Sequence, residues 1–566
     1  MNDSVLQLPQ FFYSSMDKIT IPFLIFVLLN LSCETKTESF PQAEQWEEVE
    51  LVFNTAEIYQ NPYTDVEFWV EFTGPNNEKL IRPGFWYQGK TWKVRFASPT
   101  ESGNWKWTSH ASNPADNGLN GKTGTLAARP YSGSNPLITH GLLKMSPGKR
   151  NVVHADGSPF LMIGDTPWAL PWRGTLESVA EYADNRQARG FNTALLMSLQ
   201  PDREATGPRS RTEDGGFDVA FEDLKDGHIN QLNPEYFNYF DSLRDILINH
   251  GIVPVFQPVF HGFGWKGKNV LGKDMNAAEY VRYCRYLLAR YGAKPAMWLV
   301  GADSDGNNTG VKEGGEEFEK WDAYQQPAGL HYSPFDAEKP GWWNNPEAFV
   351  PHLNRVAQNQ DWLDFQWCQS GHGGDHQLHK VALMCDNKPT KAVANGEPTY
   401  EGIRDSANGA GWWQGHEAWL QFTSGGTMGV VYGAGGLWNW KLRGDEQGWP
   451  DWANSKISWK EAIQLPGSVY VGYLGKALKD LDITDIEKHP ELAGGQLCLA
   501  KPGKLFVVYL PDGGEVIVNN LPSRISVKWF DSKKGEFVTE HTGQAPHDIF
   551  QSPVQGPSVL IIQNQL

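Results

Sequence analysis

Two acidic stretches carry the chemistry this sequence is equipped for. Glu397 follows the short apolar run Ala392-Val-Ala394 and the turn pair Asn395-Gly396, directly before Pro398, with Tyr400 and Glu401 just beyond. Asp303 ends a second apolar run that starts at Ala296, and Asp305 follows two residues later. A carboxylate at the carboxyl end of a buried strand is costly unless something pairs it or uses it. Two such carboxylates facing one cleft, one protonated and one ionised, are what glycoside hydrolysis requires. We therefore expect Asp303 and Glu397 to be the catalytic pair.

A fold that brings them together has to alternate strands with helices. Between residues 134 and 480 the pattern does so. Strands are expected at Phe160–Ile163, Asn192–Met197, Val253–Gln257 and Ala296–Val300, then at Gly329–Ser333, Leu363–Trp367, Ala392–Ala394 and Met428–Tyr432. The helices between them are legible as well. Asn233 caps and Pro234 starts one that Gly251 closes, and Tyr280, Cys284, Leu287, Leu288 and Tyr291 form the apolar stripe of another ending at Gly292. Eight strands with intervening helices spell a (β/α)8 TIM barrel, in which chemistry sits at the carboxyl ends of the strands. Gly164-Asp-Thr-Pro167 is no phosphate-binding turn, which argues against a doubly wound sheet.

The strand ends then nominate a cleft for a hydroxyl-rich ligand. Asp165 and Trp168 follow the first strand, Gln200 the second and His261 the third. Trp298 belongs to the fourth and His331 to the fifth. Gln369 and His372 follow the sixth, Tyr400 and Glu401 the seventh, and Trp438 the eighth. All of these are expected to bind substrate. Structural roles compete at three acids: Asp165 before Thr166 can cap a turn, Asp305 can be a loop residue, and Glu401 can support Glu397 from behind.

Other chemistries find less support. Asp303-Ser-Asp-Gly-Asn307 opens like a calcium loop, yet its sixth position is Asn308 in place of Gly and its twelfth is Gly314 in place of Glu. His372, His376 and His379 close no ligand pattern, so neither metal nor cofactor is expected. No G-x-S-x-G elbow occurs. The net charge of -17 argues against a nucleic-acid partner, which would need basic patches. The 24 Trp and 19 Tyr fit a sugar binder, because pyranose C–H faces stack on rings.

The flanks differ from the barrel. Ile19 to Leu31 is too short to span a bilayer and reads as a secretory signal ending at Ser32-Cys33. Cys33 is expected to be the lipidated first residue of an envelope lipoprotein, periplasmic or on the outer-membrane surface, held to the membrane by that anchor alone. Residues 34–45 read as a tether. From 46 to 130 the period is two, as in Val66, Phe68, Val70 and Phe72, which spells a β-sandwich. Residues 481–566 return to strands and a second β-sandwich domain. Cys284, Cys368, Cys385 and Cys498 show no framework spacing and read as buried thiols.

Taken together, Asp156-Gly-Ser-Pro-Phe160, Gly164-Asp-Thr-Pro-Trp168, Leu299-Val-Gly-Ala-Asp303, Gln369-Ser-Gly-His372, Gly396-Glu-Pro-Thr-Tyr-Glu401 and Tyr432-Gly-Ala-Gly-Gly-Leu-Trp438 resemble the apiosidase-like family of glycoside hydrolases. Residues 46–129 resemble the sandwich commonly fused ahead of that barrel. Trp529-Phe-Asp-Ser-Lys-Lys-Gly535 is similar to the collagen-binding-like domain behind it. The resemblance implies a TIM barrel that retains configuration, with Asp303 as acid/base and Glu397 as nucleophile, acting on plant or algal polysaccharide. Two positions depart from the family: Ala302 replaces the Gly before Asp303, and His416 stands where Arg is usual. The rival from another class is a non-catalytic glycan-binding surface lipoprotein on the same scaffold. A lyase would want a Tyr or Lys base facing a uronate, and none stands out.

Overall fold

The computed structural model describes residues 40–201, 203, 219–262, 269–304, 306–333, 356–372, 374, 376–403, 410–445, 455–544 and 548–565. Cys33 and Asp305 lie outside them. The alternating pattern folds as expected into eight parallel strands: β1 Met162–Asp165, β2 Thr193–Met197, β3 Val253–Gln257, β4 Met297–Ser304, β5 Ala328–Tyr332, β6 Phe365–Gln369, β7 Ala392–Glu397 and β8 Gly429–Tyr432. They pair in sequence order, with β8 also beside β1. The N–H of Met428 reaches the carbonyl of Val393 at 3.1 Å and closes the ring between β7 and β8.

Alternation within each strand decides which side chains fill the barrel. Leu195 and Met197, Val253 and Val255, Met297 and Leu299, Phe365 and Trp367, and Ala392 and Ala394 pack into one interior cluster. Residues between them, such as Leu196, Phe256, Trp298 and Val300, join the layer under the outer helices. Trp367 is fully buried in the interior and its indole N–H points at Met428 Sδ, 3.1 Å away. Truncating such a ring to Ala costs about 3–5 kcal/mol. Phe160 does not belong to β1. It pairs with Val152 in a small sheet with Leu143–Met145, and Leu143, Val152 and Phe160 plug the amino-terminal end of the barrel.

The outer helices are α1 Leu176–Ala188, α2 Pro234–Asn249, α3 Ala277–Tyr291, α4 Val311–Trp321, α5 Leu378–Asp386, α6 Trp412–Thr423 and α7 Gly467–Leu478. Their starts have local causes. Thr175 and Ser178 form a capping box on α1, and the Asn233 side chain accepts from the Glu235 N–H at the start of α2. Asn276 does the same for Ala278 and Glu279 on α3.

The sandwich begins earlier than its alternation suggests. Gln42–Glu44, expected in the tether, is a strand paired in parallel with Ala127–Arg129. The sandwich is fastened to the barrel by buried charges: Arg95 donates to Asp241 on α2 at 2.6 Å and Arg244 to Glu48 at 3.0 Å, while Arg290 on α3 also donates to Asp241, at 2.8 Å. At the other end, a six-stranded antiparallel sheet and a two-stranded one form the carboxyl-terminal unit. Its Tyr509 hydroxyl meets His416 Nδ1 on α6 at 2.7 Å. Cys284, Cys368, Cys385 and Cys498 are buried free thiols.

Candidate active site

Asp303 and Glu397 end β4 and β7, and what lies between them follows from strand parity. On β5, the residues that alternate with outward-facing Leu330 and Tyr332 are Gly329 and His331, so His331 turns inward at the top of the strand. Its register partner on β4 is Ala302, the residue before Asp303. Its ring reaches the other way to Glu397: Nε2 stands 3.6 Å from Oε2. Gln369, the last residue of β6, is paired with Glu397 in register.

Glu397 is recessed, with its side chain 15% exposed, and held by a ring of donors. His372 Nε2 lies 3.0 Å from Oε1. His372 Nδ1 lies 3.0 Å from the Pro398 carbonyl and 3.3 Å from the Tyr400 N–H. An imidazolium donates to Glu397 and to the Pro398 carbonyl, whereas the neutral Nε2–H tautomer donates to Glu397 and accepts from the Tyr400 N–H. Either way Nε2 carries the proton that Glu397 accepts. Burial, the largest influence on Glu397, would raise its pKa. The His372 hydrogen bond, the electrostatic pull of the two neighbouring imidazoles and a bond from Gln369 outweigh it, and the carboxyl titrates below its ordinary value. An anion at neutral pH is the result. His331 is itself depressed by burial, against the pull of Glu397, so it is neutral there.

Asp303 is set differently. Register shifts interrupt the β4–β5 ladder at Leu299/Gly301 and Ala302/Ser304, and Asp303 has a left-handed backbone, φ 50°. Such a conformation in a non-glycine residue is strained and persists only where its surroundings impose it. The carboxylate is 8% exposed as a residue and lies against the backbone of Gly262, in the connection after β3.

Aromatic walls close the pocket around the pair. Trp168, Tyr400 and Trp438 belong to the interior cluster. The Trp168 indole N–H donates to the Tyr400 hydroxyl at 2.8 Å, and its ring lies nearly parallel to His331 with centroids 6.0 Å apart. Tyr400 packs 4.2 Å from His372. The Trp438 indole N–H is buried without a hydrogen-bond partner among the described residues.

The structure thus gathers Glu397, His331, Gln369, His372, Trp168, Tyr400 and Trp438, with Asp303 near the end of β4, the strand paired with that of His331. Five expected substrate contacts fall elsewhere or are built into the wall. Asp165 is fully buried in an ion pair with Arg186 at 2.5 Å, with the Tyr182 hydroxyl donating at 3.0 Å. Glu401 accepts from Tyr432 at 2.7 Å and from the N–H groups of Gly411 and Gly467 at 2.6 and 2.9 Å, so it ties the loop after β7 to the start of α7. Burial raises its pKa against those three bonds. Trp298 faces outward and stacks between Phe256 and Phe318. Gln200 is fully buried and takes the Ala220 N–H at 3.5 Å. His261 is buried, its ring edge-on to Tyr280 at 6.0 Å, and burial takes its pKa down to about 4.

One buried strand-end residue was missed in the sequence. Gln257 ends β3 on the same face as Val253 and Val255, fully buried, with neither side-chain polar atom hydrogen-bonded among the described residues. Its strand parity was the available signal. A buried amide of this kind is suited to a sugar hydroxyl.

Comparison with known proteins bears on the fold and the family. A sequence model described as the apiosidase-like catalytic domain matches residues 146–485, and one for a domain of unknown function matches residues 42–112. No curated protein matches the chain. A solved glycoside hydrolase family 5 structure from Bacteroides vulgatus is 20% identical with a TM-score of 0.59, covering 76% of this chain and 94% of its own. Another from Bacteroides vulgatus, described as a candidate glycoside hydrolase, is 17% identical with a TM-score of 0.63, covering 92% and 99%. A third, named a glycoside hydrolase, is 19% identical with a TM-score of 0.58, covering 76% and 98%. At these identities the likeness is one of fold.

Proposed function

Since the chain belongs to the apiosidase-like family of glycoside hydrolases, we propose that it cleaves glycosidic bonds with retention of configuration. Asp303 gives its proton to the glycosidic oxygen while the Glu397 carboxylate attacks the anomeric carbon, and the aglycone leaves with that proton. Asp303, now ionised, takes a proton from water as the water oxygen displaces Glu397 from the same carbon. The observation that carries this reading is His331. Its backbone is paired with the residue preceding Asp303 and its Nε2 stands 3.6 Å from Glu397, so one strand end links those that carry the two acids. Retention calls for carboxyl groups roughly 5–5.5 Å apart.

The depressed pKa of Glu397 suits a nucleophile that must be ionised. Trp168 and Trp438 offer ring faces for a sugar, and the substrate we propose is a plant or algal polysaccharide, reached by an envelope lipoprotein anchored at Cys33.

Glu397→Gln and Asp303→Asn test the roles. The first keeps shape and removes the nucleophile, so turnover falls by several orders of magnitude while glycan binding persists. The second spares substrates with good leaving groups, and azide restores turnover on them by attacking the glycosyl-enzyme. Wild-type rates in both variants would dismiss the pair. Glycan binding without hydrolysis of any substrate by the wild type would establish a binding protein instead.

A further inference from the structure

Behind β6 and β7, on the helix side of the barrel wall, two buried charges grip the ends of these strands. Glu417 on α6 is 1% exposed. Its Oε1 accepts from Ser370 Oγ at 3.2 Å and from Thr399 Oγ1 at 3.4 Å, and its Oε2 accepts from the Thr399 N–H at 3.2 Å. Thr399 lies two residues after Glu397. Ser370 donates its own N–H to the Glu397 carbonyl at 3.2 Å, and the Asn395 side chain meets Ser370 Oγ at 2.9 Å. One carboxylate therefore spans Glu397, holding the chain that follows it and the neighbouring strand end that binds its carbonyl. Lys380 on α5, 2% exposed, donates Nζ to the Gln369 carbonyl at 2.7 Å. Gln369 in turn donates to the Glu397 side chain.

Stability does not require this arrangement. Buried ions are expensive, and apolar residues of similar volume usually serve a fold as well or better. What two fixed charges add is geometry, because each demands its donors or acceptors at set positions. We propose that Glu417 and Lys380 are positioning residues that orient the Glu397 carboxylate through the main-chain ends of β6 and β7. This rests on Glu397 being the nucleophile. Neither side chain touches substrate. Their effect is on the direction Glu397 takes towards His372 and the anomeric carbon.

The test compares Glu417→Gln, Lys380→Met and Ser370→Ala with wild type by two readouts. The first is the NMR titration of the His372 imidazole in the full protein, which needs no substrate. The second is kcat and KM on an aryl glycoside that the wild type hydrolyses. In Glu417→Gln one amide oxygen has to replace two carboxylate acceptors. Glu397 then turns from His372, and the His372 titration departs from that of the wild type. kcat drops by up to about 100-fold, the scale of an ångström's misplacement, while KM stays within about threefold. Lys380→Met shows a smaller effect of the same sign. A folded Glu417→Gln protein with wild-type kcat and an unchanged His372 titration would overturn the proposal. Should that variant fail to fold, Ser370→Ala, which leaves both buried charges in place, decides by the same readouts. A wild type that hydrolyses no glycoside overturns the hydrolase reading instead, and the His372 titration still decides the positioning.

Discussion

The carboxylate of Asp303 occupies the space in which a side chain on Gly262 would begin. A Cβ there would overlap Oδ2, with the carboxyl carbon 2.5 Å away and Phe260 Cζ 2.6 Å away. Asp303 has little room to retreat, since its left-handed backbone is already strained and its strand is buried. Gly262→Ala should therefore displace the acid while leaving the barrel folded. We expect kcat on a natural glycan to fall about 100-fold, with overpacking costing about 1–3 kcal/mol of stability. Steady-state kinetics beside thermal melting checks this, and full activity would mean that Asp303 is not needed where it lies.

Glu397 owes its low pKa to donors, which gives a pH signature. Burial pulls its titration up and the His372 hydrogen bond leads the groups pulling it down. In His372→Phe the downward pull weakens, so the nucleophile stays protonated to higher pH. The acidic limb of kcat/KM should move up, with the alkaline limb unmoved. A profile with an unchanged acidic limb would mean that Glu397 is not the group titrating there.

Membrane attachment is predicted to depend on one atom, the Cys33 thiol. Acylation at that thiol is the proposed anchor. Cys33→Ala should release folded protein from the membrane fraction, read by fractionation and by mass spectrometry of the mature amino terminus. Retention of the Ala variant in membranes, or an unmodified Cys33 in mature protein, would refute the anchor.

How much of this was legible depended on whether the signal was local. The barrel was, because buried parallel strands read as short apolar runs between amphipathic helices. Alternation along β4 also held the answer for Trp298: with Met297 and Leu299 inside, Trp298 has to face the helices. The same parity would have nominated Gln257. Asp165 and Glu401 could not be sorted by any local rule. A strand-end acid looks the same whether it faces a cleft or a partner, and Arg186 and Gly467 lie 21 and 66 residues away. Glu417 was invisible for a related reason, since its partners are 18 and 47 residues distant and it sits within a helix. Gln42–Glu44 is too short to show a period, and its strand partner comes 85 residues later.

The buried charges between sandwich and barrel predict how stability depends on pH. Asp241 accepts from Arg95 on the sandwich and from Arg290 on α3. Burial would raise its pKa, but these arginines outweigh it and hold the carboxyl well below the ordinary value of 3.8. Glu48, opposite Arg244, is lowered in the same way, with burial again opposing. An acid whose folded pKa is depressed contributes stability that is present above its unfolded value and is lost as pH falls towards the folded one. Asp241→Asn leaves two arginines facing each other without their anion. At pH 7 that should cost about 3–5 kcal/mol, as removal of one partner from a buried pair does. Below about pH 3.8 the wild type loses the contribution of Asp241 too, so the gap between the proteins should narrow. Urea unfolding at pH 7 and pH 3 measures both gaps. An equal gap at the two values would show that Asp241 acts by packing and not by its charge.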